Sequence, residues 1–262
     1  MNSNSIAAFL HFATRHIERS RSQILQDLWV LWECGPGPGT FLDIGAADGE
    51  YLSNSWLLEQ CGWTGALVEP NHRYYPKLAR RRSPAFMKAA WSRSGETVEL
   101  RSVIDNLEFS RLTEAPVNDM HEARGVRDRF ETDRVETITL ADLVAEAALP
   151  ELVDYLSIDI EGAELEVLSA VDFSRHRFRC ITVEHNETPA RAKIHDLLAT
   201  HGYRRKWTEL SAWDDWYVLD AEMAPPAGAQ PHALARLRDL WQARGQQEQA
   251  KAISNAHRAL KD

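Results

Sequence analysis

Cysteine is scarce. Cys34, Cys61 and Cys180 are the only three in 262 residues, an odd number, far apart and without C-x-x-C spacing. That argues against a disulfide framework and against a zinc knuckle, and a reducing cytoplasm is the expected compartment. No apolar run approaches the roughly 18–20 residues of a spanning helix. The N-terminus has no charged segment followed by an apolar one, so neither a membrane span nor a secretory leader is expected. Positive charge is also short: 30 Lys and Arg against 39 Asp and Glu leave a net −9. Such a balance gives no general attraction to phosphate backbones or anionic lipid, and no nucleic-acid partner is expected. Internal repeats and low-complexity blocks are missing.

What remains is an ordinary globular balance, 44% apolar and 26% charged, in a chain long enough for one large α/β domain. Residues 6–33 carry apolar positions at helical spacing (Ile6, Phe9, Leu10, Ala13, Ile17, then Ile24, Leu25, Leu28, Leu31), which predicts an N-terminal helical segment over 1–39. The run Gly35-Pro36-Gly37-Pro38-Gly39 ends it. Strands are expected at 40–45, 64–69, 85–91, 97–104, 154–160 and 180–185, with helices at 51–61, 73–82, 139–148, 162–170 and 189–201. That alternation predicts a mostly parallel sheet covered on both faces. Segments 203–209 and 215–220 lack an intervening helix and are expected to form an antiparallel hairpin. The polar stretch 105–135 reads as an irregular insertion. The main domain is placed at 40–220, followed by a Pro- and Ala-rich linker at 221–231. A tail at 232–262 has six Lys and Arg against three Asp and Glu. Leu234, Leu237 and Trp241 sit at helical spacing there, so the tail is expected to be helical, packing on the core or serving a homodimer or partner contact.

Chemistry concentrates first at Asp43-Ile44-Gly45-Ala46-Ala47-Asp48-Gly49, where an apolar strand meets a glycine turn. Glycines there let backbone approach a ligand. Ala47 stands where a dinucleotide fingerprint has its second glycine, and an acid precedes the first, so an NAD-dependent oxidoreductase is the weaker reading. An acid in that place suits a ligand with a cationic amine. Glu69, at the end of the second strand, can accept both hydroxyls of a ribose. The pair points to an adenosine ligand.

A series of short motifs follows in chain order. It runs through Ser22-Gln23 with Gln26-Asp27, FLDIGAADG at 41–49, and Leu52-Ser53-Asn54-Ser55 with Gly62-Trp63-Thr64-Gly65. It continues through Val68-Glu69-Pro70-Asn71 and the run TITLADL at 137–143. DYLSIDIEGAE at 154–164 and Val183-Glu184-His185 close it. Over residues 22–220 this ordered series resembles the FkbM family of S-adenosylmethionine-dependent methyltransferases. The resemblance implies a Rossmann-like, class I methyltransferase sheet, mostly parallel with an antiparallel last strand, and S-adenosylmethionine as methyl donor. It also implies transfer to a hydroxyl oxygen of a sugar, glycan or polyketide-type acceptor. Carried over by position, Asp43, Gly45, Ala46 and Gly49 line the methionine and ribose side, and Glu69 takes the ribose. Asn54 or Ser55 holds the methionine carboxylate, Ala90-Trp91 borders the adenine, and Ser22-Gln23 folds over as a lid.

Asp159 and Glu184 are then expected to flank the transferable methyl, because strand carboxyl ends face the ligand crevice in such sheets. Together with His185 and Asn186 they could hold a hard divalent cation such as Mg²⁺. His185 is the expected general base, with His121 as a rival. Strand alternation leaves open whether Glu184 and His185 can both reach the site. Glu161 and Glu164 suit the first turn of a helix. Trp207, Trp213 and Trp216 are expected to pack in the final hairpin, with sugar stacking as the alternative. A non-catalytic module docking a partner through its tail is the competing function.

Overall fold

The computed structural model describes residues 3–35, 37–116, 125 and 127–220. His121, the linker and the tail lie outside them. Seven strands form the main sheet: β1 (Thr40–Ile44), β2 (Thr64–Val68), β3 (Ala85–Phe86), β8 (Leu152–Ile158), β9 (Arg177–Glu184), β10 (Tyr203–Lys206) and β11 (Asp214–Leu219). Their order is β10-β11-β9-β8-β1-β2-β3. The β3-β2-β1-β8-β9 pairings are parallel, and β11 alone runs against its neighbours. This is the mixed, mostly parallel sheet the resemblance implies, with 203–219 forming the expected hairpin. Among the described residues no helix is long and apolar enough to cross a membrane.

Strand alternation divides the core in two. Leu42, Ile44, Leu156, Ile158, Ile181 and Val183 face one side. There they meet α5 (Leu140–Glu146), α6 (Glu164–Ser169) and α7 (Ala190–Thr200) through Leu143, Leu168 and Leu198. Phe41, Leu67, Tyr155 and Trp216 face the other side, covered by α1 (Ser3–His16), α2 (Gln26–Cys34) and α3 (Trp56–Gln60). Phe9 stacks on Trp207 at 5.0 Å and Trp29 on Trp216 at 5.1 Å. Each such pair is worth about 0.5–1.5 kcal/mol beyond its buried area. The N-terminal segment therefore shares its core with the sheet.

The chain departs most from its expected elements in three places. The helical run 6–33 breaks between α1 and α2. There the buried Asp27 carboxylate accepts from Ser20 Oγ (2.7 Å), Ser22 Oγ (2.7 Å) and the Arg21 amide (3.0 Å), and Leu25 takes φ +71°. Serines that bond a carboxylate this way compete with helix. The expected strand 85–91 splits: β3 pairs with β2, while β4 (Ala89–Ala90) pairs with Thr137 and Ile138 in a second sheet. Part of the stretch expected to be irregular is a long strand, β7 (Phe130–Ile138), antiparallel to β5 (Thr97–Val103). With β6 (Arg111–Leu112) the four make a sheet of order β4-β7-β5-β6. Charged residues populate both faces of β7, so no apolar alternation marks it. Ladder bonds and pairs such as Arg73 Nη1 to Asp133 Oδ2 (3.1 Å) hold it instead.

Candidate active site

A cleft of about 640 Å³ opens at the carboxyl ends of β1, β2, β8 and β9. The second sheet supplies the facing wall through Leu100 and residues 107–112. At the exit of β1 the chain turns at Gly45, whose φ is +86°. A Cβ there would stand 1.7 Å from the Asp159 carbonyl oxygen, so only glycine lets the β1 and β8 exits touch. Beyond it the Asp48 carboxylate accepts from the amides of Glu50 (2.9 Å) and Tyr51 (2.7 Å). Ser53 Oγ accepts from Ser55 and Trp56. These local bonds hold 46–55 as turns, which is why α3 begins only at Trp56 and not near 51.

Asp43, Gly45, Ala46, Asn54, Glu69 and Ala90 all line the cleft. Glu69 Oε2 accepts from the Ala47 amide (3.0 Å) and Oε1 from the Asn71 amide (2.7 Å). Each oxygen keeps a lone pair for a hydroxyl. Burial pushes this carboxyl up to about 7 despite those amides. Asp43 is also raised by burial, opposed by the Ser55 hydroxyl at 2.5 Å. Asn54 Nδ2 donates to Ser157 Oγ at 3.0 Å, and its Oδ1 is buried with no partner among the described residues. An orphaned acceptor beside Asp43 suits a cationic amine rather than the carboxylate expected at Asn54. These groups fit S-adenosylmethionine: an ammonium on Asp43 and Asn54, a ribose diol on Glu69.

Three expected contacts are placed elsewhere. Ser55 is turned onto Asp43 and does not line the cleft. Gly49 lies behind the turn, against Leu78 and Arg81. Trp91 packs on the core of the second sheet, because the chain has already crossed to that sheet at β4. Ala90 alone of that pair reaches the cleft.

The second group is acidic. Asp159, Glu161 and Glu184 each bring an oxygen within 4.8 Å of the others. Burial raises Asp159 to about 6 and Glu184 well above the carboxylate range, and the Asp159 charge adds to the second effect. The two side chains face each other within this cluster, and two carboxylates so close favour a state in which one of them carries a proton. Asp214, opposite Glu184 in the β9–β11 register, is pushed up to about 8 by burial and by Asp159. Its Oδ2 accepts from Gln26 Nε2 at 2.9 Å. Glu161 Oε2 pairs with Arg127 Nη2 at 2.5 Å. Glu164 Oε1 accepts from the amides of Ile160 and Gly162, pinning the turn that presents Asp159.

His185 is not in this group. Its side chain is buried on the other side of the strand end, with Nδ1 accepting from the Glu187 amide (3.0 Å) and Nε2 3.8 Å from Asp215 Oδ1. Burial lowers its pKa. Because Nδ1 accepts, the neutral ring carries its proton on Nε2, toward Asp215. The expected general base is thus turned away from the cleft by the period-2 alternation of β9.

Gln23 lines the cleft and accepts from Trp213 Nε1 at 3.2 Å, while Ser22 serves Asp27. Trp213, 42% exposed, stands at the rim with Tyr51, whereas Trp207 and Trp216 are core residues as expected. Among the described residues nine non-glycines have positive φ. Six of them (Ala47, Leu52, Glu161, Asn186, Glu187, Ala212) line the cleft. Each costs on the order of 1–3 kcal/mol, and such strain gathers where surrounding structure enforces a working geometry. Sequence reasoning missed Asp214, Trp213 as a rim residue and Gln26 as a polar anchor. Gln26 had a signal in its place beside Gln23, but Asp214 had none, since only strand register brings it to Glu184.

A cleft at the strand ends, with an acid before the glycine turn and a ribose-type acid on the next strand, defines an adenosine-ligand site on a class I methyltransferase sheet. The chain belongs to the FkbM methyltransferase family, whose domain matches residues 43–205, and is an S-adenosylmethionine-dependent methyltransferase of that family. Among solved structures it is similar to an FkbM methyltransferase from Methylobacillus flagellatus KT (14% identity, TM-score 0.40). That match covers 82% of this chain and 59% of the other. It is also similar to precorrin-6y C5,15-methyltransferase from Geobacter metallireducens GS-15 (15%, TM-score 0.38, 70% and 74%). A SAM-dependent methyltransferase from Aquifex aeolicus is a third (13%, TM-score 0.35, 74% and 90%). No curated protein matches.

Proposed function

We propose that the protein methylates a hydroxyl oxygen of a sugar, glycan or polyketide-type acceptor, with Asp159 and Glu184 receiving that hydroxyl. The observation that carries this reading is the facing carboxyl pair of Asp159 and Glu184, their oxygens within 4.8 Å of each other, in the cleft that holds the adenosine-type groups. When bound, S-adenosylmethionine supplies an electrophilic methyl on a positively charged sulfur. Asp43 and Asn54 hold its amino group, Glu69 holds its ribose, and Ala46 and Ala90 border the remainder. A neutral hydroxyl is a weak nucleophile, and a carboxylate within hydrogen-bond reach takes its proton as the oxygen–carbon bond forms. The second carboxyl of the pair keeps its proton and steadies the first. Exposed rings at the rim, Trp213 and Tyr51, support an acceptor with an apolar face to stack, such as a sugar.

A second use of the same acids rests on the spacing of Asp159, Glu161 and Glu184. Three hard oxygen donors within 4.8 Å suit Mg²⁺, although Arg127 already neutralises Glu161. The test is a screen of sugar and polyketide acceptors with labelled donor, with Mg²⁺ and with excess chelator. Label in an ether-linked methyl, largely lost in Asp159→Asn, is the expected result. Label on nitrogen or carbon, or no transfer to any hydroxyl, overturns the acceptor reading. Full activity in chelator assigns the acids to the acceptor alone.

A further inference from the structure

Arg81, just beyond α4 (Tyr75–Leu78), is a buried guanidinium that lines no part of the active cleft yet touches three parts of its frame. Its side chain is 6% exposed and that of its counter-ion Glu59 is 3%. Nε donates to Glu59 Oε2 at 3.1 Å, and Nη1 reaches the Gly49 carbonyl oxygen and Ser53 Oγ. Nη2 donates to Ser55 Oγ at 3.2 Å, and Ser55 Oγ donates to Asp43 Oδ2 at 2.5 Å. A guanidinium can only donate, and a hydroxyl has one proton. Ser55 must therefore accept from Arg81 and direct its single proton to Asp43.

We propose that Arg81 is a positioning residue for donor binding. Acting through Ser55 and the 49–53 turn, it sets the Asp43 carboxylate to receive the amino-acid end of S-adenosylmethionine. The inference rests on the assignment of Asp43 to the donor's amino group. Two observations support it. Asp43 lies close enough to Glu69 and Asp159 for all three to repel one another, and the Arg81 charge, linked to Asp43 through Ser55, offsets that repulsion. Gly49, with φ +78°, leaves no room between the turn and Arg81: a Cβ would stand 2.7 Å from Leu78 Cδ1 and 3.2 Å from Arg81 Cγ. Gly49 thus serves donor binding by letting the guanidinium pass, not by lining the pocket.

The test compares two ligands by calorimetry on wild type, Arg81→Lys and Ser55→Ala. S-adenosylhomocysteine carries the amino-acid end; 5′-methylthioadenosine keeps the adenosine and thioether but lacks it. Each variant is expected to weaken S-adenosylhomocysteine about tenfold, the worth of one hydrogen bond to a charged group, and to leave methylthioadenosine binding unchanged. A purely structural role would weaken both ligands together. Arg81→Lys keeps a cation against Glu59, and Ser55→Ala leaves the Arg81–Glu59 pair intact, so a folding failure in one does not remove the other. Equal loss for both ligands, or no loss for either, overturns the inference. A wild-type protein that binds neither ligand overturns the donor assignment itself, a result read before any variant is made.

Discussion

Glu184 and His185 are neighbours in the chain and face opposite sides of the β9 exit: the carboxyl lines the cleft beside Asp159, and the imidazole is buried 3.8 Å from Asp215. The first histidine a reader of the sequence would make the base is therefore a structural residue. Under the proposed reading the proton chemistry falls to carboxyl groups whose burial moves them toward neutrality.

That placement sets the pH dependence of turnover. The base must be ionised to accept a proton, so turnover is expected to fall as pH drops through about 6, the position to which Asp159 is raised. Asp159 and Glu184 titrate as one unit. Asp159→Asn should lower turnover by roughly 10²–10⁴ and abolish the acidic limb. His185→Asn should keep the limb. A limb that disappears with His185 and survives in Asp159→Asn would return the proton to the histidine.

Stability of the unliganded protein should carry the same signature. Burial raises Glu69 and Glu164 to about 7 and Asp214 to about 8, so the folded state keeps protons that the unfolded chain has released. Each contribution is fully present below the ordinary carboxyl range and is lost as pH rises through the folded value. His16, lowered to about 4 by burial, acts the other way, but only below its ordinary 6.5. From pH 6.5 to 8 the melting temperature is thus expected to fall by a few degrees, at roughly 2–4 °C per kcal/mol. Asp214→Asn should flatten the slope in scanning calorimetry. A melting temperature that climbs over this window contradicts the buried, protonated acids.

Gly45 tests the contact between strand exits. Gly45→Ala imposes a Cβ 1.7 Å from the Asp159 carbonyl oxygen at φ +86°. The expected cost is on the order of 2–4 kcal/mol by denaturant melts, with loss of donor binding as the Asp159 turn shifts. An alanine variant with wild-type stability and binding would mean that the two exits can separate freely.

Much of the fold was legible in the chain itself, because the relevant physics is local. Apolar strands alternating with amphipathic helices specify a parallel sheet, the hairpin follows from two strands without a helix between them, and an acid before a glycine turn together with an acid ending the next strand points to an adenosine cleft. Asp43, Gly45, Glu69, Asp159 and Glu184 reach that cleft because each sits at or just beyond a strand's carboxyl end, a place that patterning alone can locate. β7 was hidden because its charged faces carry no apolar period, and the 85–91 strand split because two sheets compete for its edges.

The sequence by itself determined the main sheet, the family resemblance and the acids that line the cleft. Tertiary structure decided which neighbour in a pair faces the chemistry. Alternation allows one of Glu184 and His185 into the cleft, and packing against Asp215 chose the carboxyl. Register brought Asp214 to Glu184 across 30 positions of chain. Folding also set Arg81 behind Asp43, since a guanidinium and its hydroxyl relay meet only where separate turns are pressed together, and no spacing along the chain records that contact.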